Sequence, residues 1–198
     1  REQFFAVVAV SKTMMMANIG NALALIALEY YLNKLETHTV LWALVVYIFA
    51  LVTINSAQRI RAAAGRNTAS VRAPGKIVLS SIILAAIWCF PTIMILPGGN
   101  LLEVAFVSSL TAGMVAGGAI ALYPIPLAAF AYVTILSFIA AISVVYSGIL
   151  PVIPFGLVIS SFSLVVAFSV RRHAGYFLSE LHGRLRAEKQ RDMINMLL

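Results

Sequence analysis

From Val104 to Val170 the chain runs for 67 residues without one Asp, Glu, Lys or Arg. A helix that crosses a bilayer needs about 20 apolar residues, so this stretch alone is long enough for three. Two proline-rich segments divide it. One is Tyr123-Pro124-Ile125-Pro126, and the other runs from Tyr146 to Pro154 with Gly148 and Pro151 inside it. Proline lacks the backbone donor and clashes with the preceding turn, so helices end or bend there. Spans are expected at about 102–122, 126–146 and 150–170. Three more are expected upstream, at about 13–31, 40–58 and 77–96, with Pro91 bending the outer half of the third.

Composition leaves little room for another fold. The chain is 62% hydrophobic and 11% charged, where a soluble domain is about half apolar and a quarter charged. It is too apolar to be disordered, and its runs are too continuous for alternating strands. The expected class is an all-α membrane protein: a six-transmembrane-helix bundle over 1–172, followed by a cytoplasmic helical, coiled-coil-like extension over 173–198.

The net charge of +7 would suit nucleic acid, but its placement points elsewhere. Arg59, Arg61, Arg66, Arg72 and Lys76 lie between two apolar runs. Arg171, Arg172, Arg184, Arg186, Lys189 and Arg191 follow the last one. The loop between spans one and two has only Lys34, beside Glu36 and His38, and the loop between spans three and four has Glu103 and no base. Basic residues gather on the cytoplasmic side of a membrane, so both termini are expected there, with no nucleic-acid partner. Tyr30, Tyr31 and Trp42 are expected at the outer interface as amphipathic aromatics. The first segment lacks the basic leader and small-residue cleavage site of a signal peptide. A chain that opens on Arg1 is expected to be part of a longer protein.

Few residues suit chemistry. The histidines are His38, His173 and His182, none of them mid-span, so no haem or metal site is expected. No catalytic motif and no cofactor site is present in the sequence, and the single Cys89 reads as a packing residue. Lys12 and Glu29 fall near opposite ends of span one, leaving span interiors free of charge. That weighs against a pump, where intramembrane charges mark the pathway, but leaves a carrier of neutral molecules open.

Three groups of residues stand out. Ala105, Ser109, Gly113, Gly117 and Ala121 recur every four residues on span four. Small residues let helices approach closely in lipid, so this stripe is expected either to bury span four at the centre of the bundle or to form a homodimer seam. Asn18 and Asn21 share one face of span one, as an interhelical hydrogen-bond pair or as the anchor of a ligand. Trp88, Thr92, Glu103, Ser108 and Tyr146 are expected near the outer ends of spans three to five. They would form a small-molecule pocket there or an ordinary interfacial belt.

The tail changes character. In RRHAGYFLSELHGRLRAEKQRDMINMLL, residues 171–198, charges of both signs alternate, and Ala174, Leu178, Leu181 and Leu185 step by four, three and four. That spacing is a coiled-coil-like seam, read as a signalling helix at a parallel dimer interface; the other reading is an amphipathic helix lying on the inner leaflet. Together with REQF at the start, the QRIRAAAGR and APGK segments and IWCFP in span three, the tail HGRLRAEKQRDMINMLL resembles the linker that follows the six-span N-terminal region of alphaproteobacterial PAS-GGDEF-EAL signalling proteins. The resemblance implies a bacterial inner-membrane sensor domain, free of catalytic residues itself, that regulates synthesis or breakdown of cyclic di-GMP. Its ligand would be a small apolar molecule or lipid. Similar regions precede histidine kinases, and the competing class is a small transporter of neutral molecules.

Overall fold

Each helix in the computed structural model starts and stops where the local chemistry requires it. Described are residues 2–63, 73–147, 161–162, 164–176, 179–180, 183, 186–187, 190 and 193. The helices are α1 (Glu2–Tyr31), α2 (Thr37–Ala63), α3 (Ala73–Ile95), α4 (Leu101–Leu122) and α5 (Pro126–Ser147). A sixth, α6, takes in 161–162 and 164–176, and the described residues beyond it are helical too. Among the described residues, four segments are long and apolar enough to cross a membrane: Thr37–Ala62, Pro74–Ile95, Leu101–Leu122 and Pro126–Ser143. Residues 148–160, where span six is expected to begin, lie outside the described residues, as do Leu178, Leu181 and Leu185 of the tail seam.

α1 is 30 residues long, about 45 Å, and begins well before the expected position 13. Its first turns are helical because Phe4 and Val8 pack against Ala57 near the end of α2. It ends at Asn33, whose positive φ of 54° closes a Schellman turn. The Asn33 N–H donates to the Tyr30 carbonyl at 3.1 Å and the Lys34 N–H to the Glu29 carbonyl at 2.9 Å. α3 runs unbroken through Pro91. α4 stops at Tyr123-Pro124, and α5 restarts at Pro126, a favourable first-turn position because its missing donor would be unpaired there anyway.

α1 lies along α2, α5 lies along both α3 and α4, and α1 also reaches α4. One end of the bundle, the basic end, holds Arg59, Arg61 and Lys76. The Tyr123 ring lies 5.9 Å from the His173 ring of α6 there. The other, distal end holds the α1–α2 and α3–α4 turns. The core includes Leu25, Ala50, Ala85, Ala128, Ala129 and Tyr132, all without exposed surface. The outside is apolar as well: on α2, Val40, Leu41, Leu44, Val45, Ile48, Leu51 and Val52 are exposed. So large an apolar surface is foreign to a monomer in water and suits lipid.

The packing of α4 corrects the expectation that its small-residue stripe is buried in the bundle. The buried face is Val104, Val107, Thr111, Met114, Val115, Gly118, Ala119 and Leu122. Ala105, Ser109, Gly113 and Gly117 are exposed and Ala121 is half-buried. A Cβ on Gly113 or Gly117 would meet nothing within 4 Å. The close approach occurs one residue on, where a Cβ on Gly118 would run into the Tyr132 ring of α5. Larger side chains fill the space between helices, and one glycine admits the ring. Trp42 is a second correction. It is 5% exposed and points inward, away from the interfacial position expected for it.

Candidate functional site

Among the described residues, most side-chain hydrogen bonds between helices gather in the distal half of the bundle, where α1, α2, α3 and α4 meet. Pro91 begins the arrangement. Lacking an N–H, it cannot bond the carbonyl four residues back, which is that of Ile87. The Trp42 indole N–H of α2 donates to this carbonyl at 2.7 Å. A carbonyl left free in an apolar interior is costly, so the proline creates an acceptor and a neighbouring helix supplies the donor. Trp42 then meets Trp88 edge to face, with ring centroids 5.0 Å apart. The Trp88 indole N–H donates to Asn18 Oδ1 of α1 at 2.5 Å. Asn18 in turn donates through Nδ2 to the Met14 carbonyl at 2.7 Å.

Two further links reach α4. Asn21 Nδ2 donates to the Met114 sulfur at 3.0 Å. Thr92 and Thr111 hold their hydroxyls 3.4 Å apart, while Thr92 Oγ1 also donates to the Trp88 carbonyl at 3.3 Å. The two asparagines therefore act separately, one on α3 and one on α4.

The distal turn is built around Glu103, which lies in the first turn of α4 and is 4% exposed. Sequence reasoning placed it in a loop. It belongs to a capping box with Asn100: the Glu103 N–H donates to Asn100 Oδ1 at 3.0 Å, and the Asn100 N–H donates to Glu103 Oε2 at 2.6 Å. The same oxygen accepts from Lys34 Nζ at 2.9 Å. The Schellman turn at Asn33 carries Lys34 back toward α4. Gly99 is required beside the cap, since a Cβ there would lie 2.7 Å from the Ile95 carbonyl oxygen.

Among the described residues, three buried side-chain polar atoms have no hydrogen-bond partner: Glu29 Oε2, Ser108 Oγ and Tyr132 OH. Glu29 is 6% exposed, so its side chain is buried among the helices although it stands near the distal end of α1, where the sequence places it. Between the Asn21–Met114 and Lys34–Glu103 pairs, the antiparallel register brings Glu29 level with Val107 and Ser108.

Of the residues read as a ligand pocket, Asn18, Trp88, Thr92, Asn21, Glu103 and Ser108 thus share one half of the bundle interior. Tyr146 does not join them; it is 77% exposed. Ala174 of the tail seam is buried. Trp42, Lys34, Asn100 and Thr111 were missed as partners, and the burial of Glu29 was missed as well. Two signals were available: Pro91 implies a free carbonyl at Ile87, and Asn100-x-x-Glu103 is a capping-box pattern. Among the described residues no three His, Cys, Asp or Glu side chains converge as metal ligands. What this interior offers chemically is hydrogen bonding. No family model, curated protein or solved structure matches the chain.

Proposed function

We propose that the chain is the membrane-embedded sensory and regulatory domain of a bacterial inner-membrane signalling protein. Six helices cross the bilayer with both termini in the cytoplasm, and the domain works as a parallel homodimer. The helix after span six relays a signal to a cytoplasmic enzyme that makes or degrades cyclic di-GMP. That signal is a small apolar molecule, a lipid or a change in the membrane itself. The cyclic di-GMP assignment rests on the resemblance of the tail.

The observation that carries the reading is α6. Val166 and Val170 belong to the main core, and Ala174 is still buried. The described helix 164–176 runs on without a break across the change to charged sequence at Arg171-Arg172. A helix rooted in a packed core and emerging among charges can pass a rotation or shift outward. Lys and Arg at the basic end, against Lys34 alone at the distal end, support the orientation. The exposed small-residue face of α4 supports close approach of a second copy in lipid. A carrier would favour helices broken at a mid-bilayer site, whereas α1 to α5 are continuous.

The test uses the full-length parent with one, four or seven residues inserted after Leu185. One residue turns everything downstream by about 100°, while seven restore the seam. Enzyme output should be disturbed by one and recover with seven. A steady decline with length would reduce the helix to a tether. Cysteines at Leu178 and Leu181 should crosslink between protomers and one at Ser179 should not. Phosphatase activity in a reporter fused after Leu198 would overturn the orientation.

A further inference from the structure

The basic end of the bundle carries cations that pair with no acidic side chain among the described residues. Lys12 on α1, Arg59 and Arg61 on α2 and Lys76 on α3 are all exposed. Among the described residues the Lys34–Glu103 ion pair and the 3.0 Å contact of His38 Nδ1 with Glu36 Oε2 both lie at the distal end. Arg61 differs from the others in being held in place. Its Nη2 donates to the carbonyl oxygens of Val8 and Ala9 at 3.0 and 2.6 Å. A helix carbonyl points toward the residue four positions on, so these two oxygens look toward Lys12 and Thr13. Arg61 and Lys12 therefore come from different helices to the same turn of α1. The carbonyls engage Nη2, which leaves the donors of Nε and Nη1 for another partner. Two like charges on one turn repel each other unless an anion joins them.

Depth along the helix says which anion. Lys12 is nineteen residues before Tyr31, about 29 Å at 1.5 Å per residue, against a hydrocarbon thickness of about 30 Å. Tyr30 and Tyr31 are exposed at the distal end, where interfacial aromatics belong. Lys12 and Arg61 then stand at the level of the lipid phosphates of the opposite face. Apolar surface continues inward from them. Met16 and Leu23 follow Lys12 on one face of α1, and Leu51 and Tyr47 lie on the Arg61 side of α2, all exposed.

We infer that the outer groove between α1 and α2 at the basic end is a binding site for an anionic phospholipid. Arg61 and Lys12 grip its phosphate, and its acyl chains run along Met16, Leu23 and Leu51. Charge complementarity selects the headgroup, and the apolar continuation selects a lipid over a free anion. The site stands whether or not the domain signals.

The test is native mass spectrometry of the chain in detergent, titrated with phosphatidylglycerol or phosphatidylcholine of identical acyl chains. A base near a membrane surface contributes roughly fivefold in affinity for anionic lipid. The chain should retain phosphatidylglycerol at least about tenfold better than phosphatidylcholine. Lys12→Gln and Arg61→Gln should each reduce that preference roughly fivefold, while Lys76→Gln, outside the groove, leaves it unchanged. Lys12 bonds to nothing among the described residues, so Lys12→Gln decides the matter if Arg61→Gln fails to fold. Equal retention of the two lipids would overturn the proposal, and so would a loss in Lys76→Gln equal to that in Lys12→Gln. Displacement of the lipid by millimolar inorganic phosphate would also overturn it, by making the site one for a free anion.

Discussion

Gly117 and Gly118 are neighbours on α4 with opposite expected responses to one added methyl group. At Gly118 the new Cβ would lie 2.6 Å from Tyr132 Cδ1, 3.0 Å from Cζ and against Cε1. Carbon atoms settle at about 3.5–4.0 Å, so the ring would have to retreat by roughly 1 Å. Tyr132 has no exposed surface and so no open space to retreat into. Overpacking of this kind costs about 1–3 kcal/mol, against a gain of up to about 1 kcal/mol for replacing a helical glycine. The net for Gly118→Ala is a loss of about 1–2 kcal/mol. For Gly113→Ala and Gly117→Ala in the single chain only the gain remains, because none of its own atoms stands within 4 Å. For a chain of this size about 1 kcal/mol moves a melting point by roughly 2–4 °C. Thermal unfolding in mild detergent should show Gly118→Ala melting several degrees lower and the other two unchanged or higher. In a Tyr132→Leu background the cost of Gly118→Ala should largely vanish. If Gly117→Ala is as damaging as Gly118→Ala, α4 packs through a face turned by about 100° and the arrangement given for it is wrong.

Trp42→Phe should cost about 1–3 kcal/mol by leaving the Ile87 carbonyl unpaired; Pro91→Ala restores a donor to that carbonyl, so simple additivity of the two losses would rule out the pairing. Lys34→Met should cost about 1–2 kcal/mol by stranding the buried Glu103 carboxylate, and nothing further once Glu103→Gln has removed the charge; an unchanged melting point for Lys34→Met alone would contradict the ion pair. Asn33→Val should lower stability by about 1–2 kcal/mol, because a β-branched residue resists the left-handed conformation, whereas Asn33→Gly should melt like the parent. Equal melting of the valine and glycine variants would mean that the turn is formed by other means.

Helix positions were readable because lipid imposes length and proline imposes breaks. Pro124, Pro126 and the Pro97-Gly98-Gly99 turn mark boundaries that any bundle of these helices must respect. The direction in which each helix faces was much less readable. In water the apolar stripe identifies the buried side of a helix; here both sides are apolar, and periodicity says little. The four-residue recurrence on α4 traces a real face, but not the one that packs within the chain. Glu103 was misplaced because its charge suggested a loop, although the capping box explains how a carboxylate opens a buried helix. Trp42 was misplaced because aromatic enrichment at interfaces is a tendency, which the free Ile87 carbonyl overrides.

The distribution of bonds divides the bundle into two parts held by different forces. α3, α4 and α5 meet mainly through Ala85, Ala128, Ala129 and the Tyr132–Gly118 contact, where shape fixes the fit, with the Thr92–Thr111 hydroxyl pair as a polar link between α3 and α4. The α1–α2 hairpin joins them through Trp42 to Ile87, Trp88 to Asn18, Asn21 to Met114 and Lys34 to Glu103. Lipid tails compete with apolar contacts on equal terms, but they offer no partner to an indole N–H or an amide. Polar links therefore have one satisfactory register, while apolar faces tolerate sliding. Three of the four links run through α1 or the turn that ends it, and Arg61 ties the other end of α1 to α2. Any movement of the hairpin against α3–α5 must break these named bonds, so their loss one at a time measures how far α1 is free to move.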